Sequence, residues 1–258
     1  MPHEARKVSQ SGYYHVIARG INRENTFNQM REKNYLKKIL MKHLPKYKVE
    51  IYAYCIMSNH VHLIIKADIE ELSMFMSRIL AEYAEYYNYK HNRNGHVFQN
   101  RFKSECIENE IYFWTCLRYI HLNPIKAHMV KNPLDYEHSS MGEYINRKSR
   151  ILHENAWKMC DSKYENTVAF VDYHRGACCR VFLDIPVEIF CQFKEISMIV
   201  LNQLQMQYQL KNPIEILESK ELRQAYKNEL QSVLSLSKNK AEMLCLEIKK
   251  IIQEKQVM

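Results

Sequence analysis

Residues that interrupt regular structure are scarce: 5 glycines and 6 prolines in 258 positions. Such scarcity excludes long disordered linkers and glycine- or proline-rich tracts. No run of 18 or more apolar residues occurs, so no membrane-spanning helix is expected. The start, MPHEARKVSQSGYYHV, lacks an apolar core of signal-peptide length. The 8 cysteines include no CxxC spacing, and the adjacent Cys178 and Cys179 read as ordinary thiols. These absences suit a reduced, cytoplasmic protein with no membrane partner. What the chain does have is 47% hydrophobic residues, 18 tyrosines and a net charge of +8. The charge favours a polyanion, either nucleic acid or an anionic membrane surface.

Hydrophobic periodicity orders the first half of the chain. Residues 13–19 read as a strand, 31–44 as a helix, 49–56 and 60–66 as strands joined by Met57-Ser58-Asn59, and 70–90 as an amphipathic helix. Residues 97–107 look extended, and a further helix runs from about Asn109 to His121, ended by Pro124. The first six elements have the order of a ferredoxin-like antiparallel sheet with helices on one face, an α+β fold. Residues 125–150 carry little pattern. Beyond them the chain is mostly helical, with the best candidates at 214–232 and 238–254. The domains expected are 1–150, a catalytic unit, and 151–258, a helical accessory unit.

Two histidines stand out in MSNHVHLIIK, residues 57–66. Side chains alternate along a strand, so His60 and His62 share a face with Ile64 and Lys66, while Val61, Leu63 and Ile65 face the other way. Neutral imidazoles side by side suit one divalent cation. Alone, such a pair is more often a hydrogen-bonded structural pair. Zinc wants further Cys or His ligands. Two histidines plus an oxygen, with positions open to phosphate, suit Mg²⁺ or Mn²⁺ better.

The segment LRYIHLNPIKAHMV, residues 117–130, offers that oxygen. Tyr119 and Asn123 are four apart and share a helix face. Asn123 has a carbonyl oxygen for the metal. A phenol beside a metal-bound phosphodiester is a candidate nucleophile, giving a phosphotyrosine. By spacing alone, one tyrosine among 18 is more often a packing residue. His121 points elsewhere on the helix, and His15 reads as structural.

Four stretches, YYHVIARGINRENTF (13–27), AYCIMSNHVHLII (53–65), GHVFQNRFKS (95–104) and YIHLNPIKAHMV (119–130), followed by DYEHSS (135–140), occur in order. Together they resemble the HUH single-strand DNA transposases with one catalytic tyrosine, most closely the REP-associated tyrosine transposases. The resemblance covers roughly residues 10–145. It implies a ferredoxin-like sheet with the histidine pair on a central strand. It implies His60, His62 and Asn123 as ligands of Mg²⁺ or Mn²⁺, and Tyr119 as the nucleophile. The implied reaction cleaves and rejoins single-stranded, hairpin-flanked DNA through a 5′-phosphotyrosine. Ser58 departs from the proline of many relatives, away from the chemistry. The alternative is a domesticated hairpin-binding protein that does not cut.

Arg19, Arg23, Arg101 and Lys103 are expected to contact phosphates, with Phe98 or Phe102 stacking on bases; the plainer reading is solvated surface charge. The C-terminal segment 229–252 fits two helices parted near Ser235–Ser237. That is either a helix-turn-helix lacking the usual turn glycine, or a packing unit. Monomer and homodimer both remain open, as does a tyrosine acting across subunits.

Overall fold

The computed structural model describes residues 6–176, 180–184 and 186–257, without the side chains of Arg23, 186–188 and 255–257. The chain forms two compact units, Met1–Gly176 and Ala177–Met258.

The first unit runs β1 (Tyr13–Arg19), α1 (Met30–His43), β2 (Glu50–Ile56), β3 (His60–Lys66), α2 (Ile69–Lys90), β4 (Lys103–Cys106) and α3 (Glu110–Lys126). The strands make one antiparallel sheet in the order β2-β3-β1-β4, which is the ferredoxin-like topology. β1 and β2 are parallel through β3, and β3 and β4 are parallel through β1. Right-handed crossovers between such strands place α1 and α2 on the same face. There Leu36, Ile39, Leu40, Leu72, Phe75 and Ile79 are buried along with Val61, Leu63 and Ile65. Glu32 joins the two helices. It closes a capping box with Gln29 at the start of α1 and accepts from Lys90 Nζ at 2.7 Å and His91 Nε2 at 2.8 Å at the end of α2. Burial raises the Glu32 pKa, but hydrogen bonds from Lys90, the Gln29 N–H and His91 outweigh it and hold the carboxyl below its usual value.

α3 packs on β2 and β3, anchored by Phe113 against Tyr13 and Tyr52 with ring centroids 5.4 and 5.8 Å away. The helix does not end before Pro124, as its sequence suggests, but runs to Lys126 with the proline inside. Pro124 sits in the last turn, where its missing N–H forfeits a single helical bond. The Ala127 and Met129 N–H groups then donate to the Asn123 and Pro124 carbonyls at 3.0 and 2.9 Å.

Residues 136–153, most of them in the stretch 125–150 that is unpatterned in sequence, line the outer edge of β2. Ile56 N–H donates to His138 O, Ser140 N–H to Tyr54 O and His153 N–H to Ile51 O, each at 2.9 Å. Tyr136 and Tyr144 hydroxyls donate to the Ile56 and Tyr52 carbonyls at 2.7 Å. The segment holds α4 (Met141–Asn146), and α5 (Glu154–Lys163) and α6 (Thr167–Tyr173) follow. This unit passes residue 150 because Phe170 stacks on Tyr144 at 5.1 Å and His174 bonds His121 at 2.9 Å.

The second unit is helical: α7 (Pro186–Gln207), α8 (Ile214–Glu218), α9 (Lys220–Leu234) and α10 (Lys238–Val257). Ser219 divides the expected 214–232 helix by capping α9 through its side chain. Its core includes Val200, Leu201, Tyr226, Leu230, Leu244 and Ile248. Among the described residues no helix is long and apolar enough to cross a membrane.

Candidate metal and nucleophile site

The sheet register decides what meets the histidine pair. Arg19 is opposite His60, Ile17 opposite His62 and His15 opposite Ile64. Directly paired residues share a face. One face therefore carries Arg19, His15, His60 and His62, with Lys103 opposite Ile17 in the same row. All three histidines are buried.

The hydrogen bonds assign their ring protons. Asn59 Oδ1, an acceptor, lies 2.5 Å from His60 Nδ1, so Nδ1 carries the proton and Nε2 the lone pair. Asn123 Nδ2, a donor, lies 3.3 Å from His62 Nε2, which makes Nε2 the lone-pair atom of His62 too. Burial lowers the His60 pKa to about 3, helped by Arg19. Burial, then His60 and His15, holds His62 well below its ordinary value. Both imidazoles are neutral at pH 7, the state in which histidine ligates metal.

α3 brings the remaining groups. Tyr119 is buried at 4% exposure, its ring edge-on to His62 with centroids 5.7 Å apart. One turn on, Asn123 reaches His62. Lys126 Nζ lies 5.3 Å from the Tyr119 ring centre, a cation–π contact on the same helix face. Lys126 is absent from the residues singled out by sequence; its place at i+7 from Tyr119, two turns on along the same face, is the signal that marks it.

The structure thus gathers His60, His62, Tyr119 and Asn123, with Arg19 beside His60. Lys103 shares the face but is exposed. Arg101 is not brought to the histidines. It lines a groove of about 430 Å³ between α2 and residues 95–102, together with Arg6, His96 and Phe98. The Arg23 side chain lies outside the described residues. Phe102 is buried under the Arg6 guanidinium, 3.8 Å from its ring centre, which removes that ring as a base-stacking surface. His121 bonds His174 and Ser140, away from the pair.

Residues 8–123 match the family model described as transposase IS200-like. The chain carries an IS200-like transposase domain. No curated protein sequence matches the chain. A solved REP-associated tyrosine transposase, bound to a REP hairpin, is 19% identical with a TM-score of 0.49 over 60% of this chain and 93% of that one. A protein from Deinococcus radiodurans R1, described as a transposase, is 17% identical with a TM-score of 0.33 over 46% and 95%. In this transposase domain the matched stretch ends at Asn123 and so includes the histidine pair and Tyr119.

Proposed function

We propose that this transposase cleaves and rejoins single-stranded DNA through Tyr119, with Mg²⁺ or Mn²⁺ held by His60, His62 and Asn123. One observation carries the reading: Tyr119 and Asn123, one helical turn apart on α3, both face His62 on β3. The donor set fits a hard divalent cation, since two neutral imidazoles keep their lone pairs on Nε2 and an amide lies against one of them. Asn123 presents its nitrogen to His62, and rotation of the amide would offer Oδ1 instead. When bound, the metal supplies Lewis acidity to phosphoryl oxygens.

Tyr119 Oη attacks the phosphorus, and the 3′-oxygen leaves and takes up a proton as a 3′-hydroxyl. One phosphoester forms as one breaks, so rejoining needs no nucleotide. Lys126 packs its cation against the ring of the attacking tyrosine. Arg19, Arg23, Arg101 and Lys103 hold backbone phosphates, Arg19 nearest the histidines. The resemblance to REP-associated members extends the substrate to a hairpin-flanked strand.

The test is a denaturing gel of full-length protein with labelled hairpin-flanked single strands and Mn²⁺. The expected result is a covalent adduct, lost in Tyr119→Phe and in His60→Ala. Native-gel binding with no adduct in the wild type would overturn cleavage and leave a hairpin-binding protein.

For the second unit we propose duplex DNA binding through α10. α9 and α10 are joined by Ser235–Ser237, and Ser235 takes the left-handed conformation (φ 51°, ψ 44°) that glycine usually supplies in a helix-turn-helix. Met243 (69% exposed) and Leu246 (51%) form an open stripe, flanked by exposed Lys240 and Lys250. Glu242 and Glu247 are paired to Lys227 and Lys194 at 2.6 and 2.8 Å, leaving lysines to face a phosphate backbone. Lys240→Glu should weaken binding to flanking duplex while the Tyr119 adduct persists; unchanged duplex binding would make the unit a packing element.

A further inference from the structure

His15 and His62 are 47 positions apart, yet His15 Nε2 lies 3.0 Å from His62 Nδ1. Their rings are nearly parallel, with 20° between planes. The contact follows from register, because His15 and His62 sit on the same face of adjacent antiparallel strands. Two ring nitrogens at this distance share one proton, and its position is determined by the far side of His62. Asn123 Nδ2 can only donate, so His62 Nε2 accepts and its proton sits on Nδ1. That N–H donates to His15 Nε2. The His15 proton must then lie on its own Nδ1. This atom is buried with no hydrogen-bond partner among the described residues, so no donor aimed at it fixes the opposite tautomer.

We propose that His15 is a positioning residue for the metal site: it accepts from His62 Nδ1 and so holds the His62 Nε2 lone pair toward Asn123 and the metal. An acceptor behind a ligating imidazole fixes its tautomer and ring orientation and raises its basicity. His60 has the same support from Asn59 Oδ1. The two ligands thus have matched backing, one from the turn before β3 and one from β1. His15 is no third ligand in this arrangement, because its Nε2 is engaged by the ring it supports.

This inference rests on the metal reading above, and the experiment separates the two. Mn²⁺ is titrated into full-length wild type, His15→Gln and His15→Phe by calorimetry. The ¹⁵N shifts of the His62 ring are recorded without metal. Gln keeps an acceptor and Phe keeps only the ring. The expected result is Mn²⁺ affinity about 10- to 100-fold weaker in His15→Phe, with most of it retained in His15→Gln. The wild-type His62 should show a protonated Nδ1 and a lone pair on Nε2. Equal affinity in all three proteins, or equal loss in both variants, would overturn the proposal. So would a His62 proton on Nε2 in the wild type, a readout that needs no variant to fold. Failure of the wild type to bind Mn²⁺ would sink the metal reading while the tautomer still decides whether His15 orients His62.

Discussion

Asn123 is a donor toward His62 as the structure stands, and its carbonyl is the group a metal would want. One side chain therefore serves two states through a rotation about its last bond. Asn123→Ala should weaken Mn²⁺ binding on the order of tenfold or more while DNA binding persists, as calorimetry and native gels would show. Buried histidines also set a pH limit. His121 and His174 bond one another, and burial, with His174 the lesser cause, holds His121 well below its ordinary value. Burial likewise brings His174 down to about 4. Unfolded histidines titrate near 6.5. Above that pH both states are neutral and stability is level. Between about 6.5 and 4 the unfolded chain takes up protons that the native fold refuses, so stability falls. The buried His15, His60 and His62 act with the same sign. The urea midpoint should drop across this window, and less steeply in His174→Asn, by on the order of 2 kcal/mol. The histidine pair and the Tyr119–Asn123 pair are legible in sequence because each lies within one element, where a period of two or four decides which side chains meet. The role of His15 is not, because it depends on pairing between strands far apart in the chain.

Turns and helix ends are where local sequence and fold compete. Gly20 follows Arg19 directly, and a Cβ there would meet the Glu24 carbonyl at 2.6 Å and Thr26 Cγ2 at 2.7 Å. Gly20→Ala should cost about 1–3 kcal/mol, read by urea unfolding, and should weaken DNA binding by moving Arg19. Ser235 presents the opposite case. A non-glycine residue in the left-handed region is strained, so Ser235→Gly should stabilise the second unit by about 0.5–1 kcal/mol, visible as a raised melting temperature. The strands and α1 to α3 follow from periodicity alone. The end of α3 does not, since the proline bias is weaker than the packing that continues the helix. Residues 136–153 are illegible in sequence for a related reason: their order comes from bonds to the edge of β2, and no internal repeat of apolar residues announces them.

For the molecule as a whole the +8 charge makes DNA binding salt-dependent. Removing one cation from a phosphate should reduce the slope of log affinity against log salt by about 0.7 for a single strand. Arg19→Ala should lower it by one such step, and filter binding across a salt series would measure this; an unchanged slope would remove Arg19 from the DNA path. The covered edge of β2 also limits growth of the sheet. Its outward backbone groups are satisfied by residues 138–153, whereas β4, at four residues, is the other edge. A second copy adding a strand would have to do so at β4, and once two copies had met there, both remaining ends would be capped. Any sheet-to-sheet association at β4 would therefore be self-terminating, closing at a pair instead of propagating into a fibre.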